Sequence, residues 1–230
     1  MKRAARKHDE DLRLDALRAI ERELHAGGSQ FVAGVDEVGA GPLAGPVLAA
    51  AVLLPADVVI RGVDDSKRLS ATRRVALAHE IRAKALAVAF GVCEVDEIDR
   101  LNIYHASLEA MRRAVTGLAV VPQHVLVDAR RIPGISIAQT GIVKGDARCH
   151  AIACASVVAK VERDQRMDAL AARHPGYGFE KHKGYGTARH MEALAKLGPT
   201  SVHRRSFAPV ARLYAAAQEG ARASATDGLR

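Results

Sequence analysis

The alternation of apolar and polar positions divides the chain into segments of two different periods. In residues 9–25, Leu12, Leu17, Ile20 and Leu24 recur at helical spacing among charges until Gly27-Gly28 ends the pattern, which predicts a peripheral amphipathic helix. Short apolar runs at 31–36 and 46–54 are bounded by turn residues and predict strands. The loop DDSKRLS ends in Ser70, suited to N-cap a helix reaching to about residue 86, and 87–94 predicts a third strand. DEIDRLNIYHASLEAMRRAVTGL turns helical around Asn102, with Ile103, Leu108, Met111 and Val115 on one face. HVLVDA at 124–129 reads as a short buried strand ending in an acid. ISIAQTGIV at 135–143 follows the Pro133-Gly134 turn as a fifth strand. KGDARCHAIACASVVAKVERDQRMDALAARH is then mostly helix, stopped by Pro175-Gly176.

Two strands, then helices alternating with strands, then helices alone predict an α/β fold: a mixed five-stranded sheet flanked by helices, with a helical C-terminal part. The expected division is a charged leader helix over 1–29, a main domain over 30–212 and a disordered tail over 213–230, which is rich in Ala, Ser and Gly.

With 230 residues, 49% of them apolar, the chain can bury a full core. Its 34 Lys+Arg against 26 Asp+Glu give a net charge of +8, which favours a polyanionic partner, nucleic acid first. The clearest basic patch is 181–206, where Lys181, Lys183, Arg189, Lys196, Arg204 and Arg205 face one acid, Glu192. Cys93, Cys149 and Cys154 form no CxxC and cannot all pair, so they read as reduced residues of a cytoplasmic protein. The N-terminus has no apolar targeting region, and no apolar run reaches the ~18 residues of a membrane span.

The acids carry the chemistry. Asp36-Glu37 closes the first strand, Asp128 the fourth, and Asp146 follows the fifth in KGDA. Ends of neighbouring strands gather on one edge of an α/β sheet, so the four carboxylates can converge. An oxygen-only donor set suits Mg²⁺ or Mn²⁺ rather than zinc. Adjacent strand residues point to opposite faces, so Asp36 and Glu37 share a cation only if the strand twists or ends there, which Gly39 permits. His150, His182 and His203 lack metal-site spacing. GAGPLAG fails the dinucleotide fingerprint, because Ala44 takes the third glycine position and a strand follows; its backbone N–H groups can still hold a phosphate or a sugar hydroxyl.

GVDEVGAGPLAGPV (34–47), DDSKRLS (64–70), VLVDA (125–129), KGDA (144–147), ASVVAKVERD (155–164), HKGYGT (182–187) and HRRSF (203–207) together resemble ribonuclease HII, the type 2 ribonuclease H family. The resemblance implies a ribonuclease H-like fold and a divalent-metal endonuclease, with Mn²⁺ or Mg²⁺ as cofactor. The implied substrates are the RNA strand of RNA–DNA hybrids and single ribonucleotides in duplex DNA, as met in replication and repair, cut to leave 5′-phosphate and 3′-hydroxyl ends. It implies that Asp36, Glu37, Asp128 and Asp146 are the catalytic and metal-binding carboxylates, Asp164 being the rival for the fourth place. It implies substrate contacts from the turn Gly39, Ala40 and Gly41, from Lys67 near the scissile phosphate, from Tyr185 at the RNA–DNA junction, and from Lys183 and Arg204, with Lys181 and Arg205 as further candidates for its backbone. A monomer is expected. The larger N-terminal domain usual in the HIII branch is not expected, since about thirty residues precede the first strand.

Ala40 departs from the family's usual Gly-Arg-Gly, which predicts weaker binding or altered junction preference with chemistry intact. A non-catalytic hybrid-binding protein, the second reading, predicts a replaced carboxylate, and all four are present.

Overall fold

The computed structural model describes residues 2–215, with side chains from residue 8 onward. The chain runs α1 (Lys2–Leu17), α2 (Ala19–Ala26), β1 (Val32–Val38), β2 (Val47–Leu53), α3 (Ala71–Lys84), β3 (Ala87–Cys93), α4 (Val95–Leu101), α5 (Ile103–Thr116), β4 (His124–Asp128), β5 (Ala138–Ile142), α6 (Gly145–Arg148), α7 (His150–Arg173), α8 (Phe179–His182) and α9 (Ala188–Leu197). The described residues divide into two compact units: 2–38, 48–92 and 107–163 form the first; 39–47, 93–106 and 164–215 the second.

In the first unit the five strands make one sheet of order β3-β2-β1-β4-β5. β1 runs antiparallel to β2 and parallel to β4, and β4 runs parallel to β5. β2 is apolar at all seven positions and buried at all seven, as a strand covered on both faces must be. On one face Leu48, Ala50 and Val52 join Leu77 and Ile81 of α3 and Val157, Val158 and Val161 of α7. Phe90 and Val92 of β3 pack against that cluster, and Gly91 between them faces α5, where a Cβ would come within 1.9 Å of Ala110 O. α7 crosses β1 equally closely: a Cβ on Gly34 would lie 2.1 Å from the Ala151 carbonyl carbon. Among the described residues no helix is long and apolar enough to cross a membrane.

The leader differs from its expectation. It is two helices broken at Arg18, and it is less peripheral than its charges imply. Leu12 is exposed, whereas Leu14 and Leu17 belong to the main core. Glu21 of α2 is buried and accepts from the Ala151 N–H at 2.7 Å, satisfying one of the orphan donors in the first turn of α7. Asn102, expected at a helix start, separates two helices: it has φ +64, and its side chain caps the N–H groups of Tyr104 and His105. The preceding helix α4 was hidden by its charge, and a reciprocal capping box of Glu94 and Glu97 starts it. Ser70 does N-cap α3, accepting from Arg73 N–H.

The second unit is centred on Leu43, Met167, Leu170, Tyr177, Phe179, Leu194 and Val210. Its segment 39–47 is fixed by backbone bonds: Leu43 N–H donates to Gly184 O, Gly45 N–H to Val202 O, and Leu43 O accepts from Arg204 N–H. Of the expected tail, 213–215 are helical and 216–230 lie outside the described residues.

Candidate metal centre

The parallel ladder between β1 and β4 pairs Val35 with Val127 and goes no further, so the next residues in register are Asp36 and Asp128. Two carboxylates at corresponding positions of neighbouring strands point to the same side. Glu37 lies one residue on, still paired with β2 but beyond the end of the β4 ladder, and its longer side chain comes round to join them. One oxygen from each of Asp36, Glu37 and Asp128 lies within 4.8 Å of the others. β1 itself runs two residues past the expected end, to Val38, so it is the neighbouring strand that ends at the acids.

Each acid is held by nearby groups. Asp36 is buried and accepts from the Glu37 N–H at 2.8 Å. It also hydrogen-bonds Ser156 of α7, whose hydroxyl oxygen is 3.0 Å from that of Ser66, next to Lys67 in the DDSK loop. Asp128 accepts from Gly145 N–H at 2.6 Å, and a side chain at 145 would collide with Ile152 Cδ1 at 2.5 Å, so only glycine brings its amide this near. The chain is strained on either side of this contact, with Ala129 at φ +51 and Lys144 at φ +57. Arg130 pairs with Glu37 at 3.2 Å, while the other oxygen of Glu37, Oε2, is buried with no hydrogen-bond partner.

Burial drives the Asp36 carboxyl well above the ordinary range, and the neighbouring charges of Glu37 and Asp128 push it the same way. Burial also raises Glu37, against the pull of Arg130 and Lys67. Asp146 is raised by burial and by the charges of Asp65 and Asp128, with Lys67 opposing. Asp146 therefore shares the field of the three clustered acids. Asp164, its sequence rival, is placed in the second unit, where its carbonyl accepts from Lys183 Nζ. A buried carboxylate oxygen orphaned in a half-buried, mutually repelling cluster of hard donors fits a divalent cation.

The basic residues separate into two kinds. Lys67 is exposed and acts on both Glu37 and Asp146. Tyr185 is 43% exposed, and its Cε1 would lie 3.6 Å from a Cβ on Gly41, so ring and turn sit side by side. Lys181 and Arg205 are exposed, the latter over the Tyr214 ring. Lys183 is drawn into an ion pair with Asp168. Arg204 departs most from its expectation as a substrate contact: it is fully buried and bonds the carbonyls of the 39–45 turn. The histidines are structural. His203 Nε2 meets His190 Nε2 at 3.2 Å, and burial depresses His203 to about 4, so it stays neutral. Ser66, Arg130, Ser156 and Gly145 were missed as supporting residues. Ser66, Gly145 and Ser156 each fall inside a quoted motif, DDSKRLS, KGDA and ASVVAKVERD, whereas nothing in the sequence marked Arg130.

The sequence model of the family Ribonuclease HII matches residues 33–210. The ribonuclease HII of Geobacillus kaustophilus is 49% identical over 215 residues, covering 94% of this chain and 82% of the relative. That of Myxococcus xanthus is 52% identical over 202 residues, covering 87% and 69%. Among solved structures, ribonuclease H2 from Pyrococcus horikoshii superposes with a TM-score of 0.69 at 24% identity, covering 80% of this chain and 96% of that one. Bst-RNase HIII, solved in complex with Mn²⁺, superposes with 0.62 at 20% identity, covering 85% and 72%. These two likenesses speak to the fold, which is the ribonuclease H-like mixed sheet with flanking helices. With the acids intact and identities near one half across most of its length, the chain belongs to the ribonuclease HII family, endonucleases that cleave the RNA of RNA–DNA hybrids.

Proposed function

We propose that the chain cuts beside single ribonucleotides in duplex DNA as well as within hybrids, leaving 5′-phosphate and 3′-hydroxyl ends, with Asp36, Glu37, Asp128 and Asp146 as its metal-binding and catalytic carboxylates. The observation that carries this is the three-acid cluster with its unpartnered Glu37 Oε2. Divalent cations bound there would supply Lewis acidity toward the scissile phosphate and an acidified water for in-line attack. The protein's part is positioning. Ser156 and the Glu37 amide fix Asp36, Gly145 fixes Asp128, and Arg130 turns Glu37 so that one oxygen remains for a ligand. Asp146 completes the ligand set from the more open side, and Lys67 places a cation near the reacting phosphate.

In the second unit, Gly39, Ala40 and Gly41 contact the ribose through their backbone while Tyr185 stacks at the junction. Lys183, once released from Asp168, and the exposed Lys181 and Arg205 contact the strand backbone. Oxygen donors accept either Mg²⁺ or Mn²⁺, and the Mn²⁺ complex of Bst-RNase HIII makes Mn²⁺ the first to try. The working form is a monomer in the cytoplasm.

The test is a labelled DNA duplex containing one ribonucleotide, incubated with Mg²⁺, Mn²⁺ or EDTA, with the ends of the product mapped. Incision beside the ribonucleotide that needs the metal is expected. An uncut duplex, or a cut that survives chelation, refutes the proposal.

A further inference from the structure

Arg204 is among the largest fully buried side chains, at 0% exposure. Its guanidinium is turned onto the backbone of one short segment. Nη2 donates to Gly39 O at 2.6 Å and to Gly45 O at 2.9 Å, Nε to Gly45 O at 3.0 Å, and Nη1 to Ala40 O at 3.0 Å. The Arg204 N–H holds Leu43 O at 2.9 Å, and the Phe207 ring centroid lies 5.0 Å from its Cζ. Burying a guanidinium is costly, and carbonyl dipoles on several sides offset that cost only if the turn keeps one conformation.

A trans peptide unit is planar, with C=O and N–H pointing in opposite directions. The carbonyls of Gly39 and Ala40 point to the guanidinium, so the N–H groups of Ala40 and Gly41 point away from it. No protein group among the described residues accepts from either N–H. Ala40 is half-buried and Gly41 exposed. A cation on a peptide carbonyl also polarises the unit and strengthens its N–H as a donor.

We infer that Arg204 is a positioning residue, which sets the N–H groups of Ala40 and Gly41 as a fixed donor pair for an acceptor oxygen of the nucleic acid, a ribose hydroxyl or a phosphate. This rests on the reading of the 39–41 turn as a substrate contact. With no guanidinium at position 40, the donor pair is what the turn itself offers.

Three measurements test it on the full chain. Arg204→Lys keeps the charge but replaces a planar fork by a single ammonium that cannot span three carbonyls. It is expected to raise KM about tenfold with kcat within about twofold of the parent, the split that marks lost binding. Replacing Ala40 by lactic acid removes one N–H and keeps the guanidinium, while the Gly39 carbonyl becomes a weaker ester acceptor for it, and at least the same rise in KM is expected. Uncleaved duplexes bearing either 2′-fluoro sugar or methylphosphonate at the junction, used as competitive inhibitors, identify the acceptor as the one whose loss makes parent and ester variant bind alike. A folded Arg204→Lys with unchanged KM, beside an ester variant that binds poorly, overturns the positioning role alone. An ester variant with unchanged KM overturns the turn as a substrate contact, and the inference with it. Should Arg204→Lys fail to fold, the parent decides: the ¹⁵N amide signals of Ala40 and Gly41 are expected to shift when the 2′-fluoro duplex binds, and signals that stay in place overturn the inference.

Discussion

Asp36 is held in a state that the folded protein without metal disfavours. Its carboxyl is buried, faces Glu37 and Asp128, and titrates well above an ordinary aspartate. Asp36→Asn removes that repulsion while keeping an acceptor for Ser156 and for the Glu37 amide. The variant is expected to melt about 2–4 °C higher than the parent in EDTA and to lose at least about 10²-fold in kcat. Thermal unfolding and a single-ribonucleotide cleavage assay measure the two effects, and a variant that is both inactive and less stable argues against the account. On the proposed reading of the 39–41 turn, Ala40 bears on affinity instead. Position 40 carries no guanidinium, and Arg204, wholly buried, offers none to solvent in exchange. Ala40→Arg is therefore expected to lower KM by about threefold to tenfold, with kcat unchanged. Steady-state kinetics on hybrid and single-ribonucleotide substrates check this, and unchanged KM and cleavage position count against it.

Elements meet at two glycines, Gly34 and Gly91, whose importance the sequence conceals. Gly34 looks like one more small residue in an apolar run, yet it lets β1 and α7 approach until backbone touches backbone. Gly34→Ala is expected to destabilise the fold by about 3 kcal/mol or more, read as a lower Tm or as insoluble protein. If this variant melts like the parent, the close crossing is not real. Strands and helices of clear period were legible because burial follows the period, as the fully buried VLAAAVL run of β2 shows. Asp128 was legible as a strand end, and the register of β1 on β4 brings Asp36 beside it. What was not legible came from contacts between distant positions. The burial of Leu14 and Leu17, the Glu21 cap on α7 and the Arg204 clamp each depend on partners far along the chain, 130 residues away for Glu21–Ala151 and 165 for Arg204–Gly39. In a helix as short as α4 the stripe of Val95, Ile98 and Leu101 is about a turn and a half among charges, and the capping box is the clearer sign of its start.

For the molecule as a whole, the acid cluster links stability to pH and metal. Asp36, Glu37 and Asp146 all have raised folded-state values, so the folded chain holds protons that the unfolded chain has already released. Their contribution is complete below the ordinary carboxylate range, about pH 4, and is lost as pH rises through the raised values. A divalent cation held by the ionised cluster, as proposed, would reverse the loss. The Tm gain from Mn²⁺ is therefore expected to be several degrees at pH 8 and to shrink toward zero near pH 5, where protons compete for the same oxygens. Scanning fluorimetry across that range decides it, and a gain independent of pH places the cation elsewhere. The Arg204 clamp has a consequence in time. During synthesis all four carboxylates have joined the chain once residue 146 is added, but the clamp on the turn beside them in sequence cannot form until residue 204 follows, seconds later. A nascent chain thus carries all four acids before the clamp on the 39–45 turn can form.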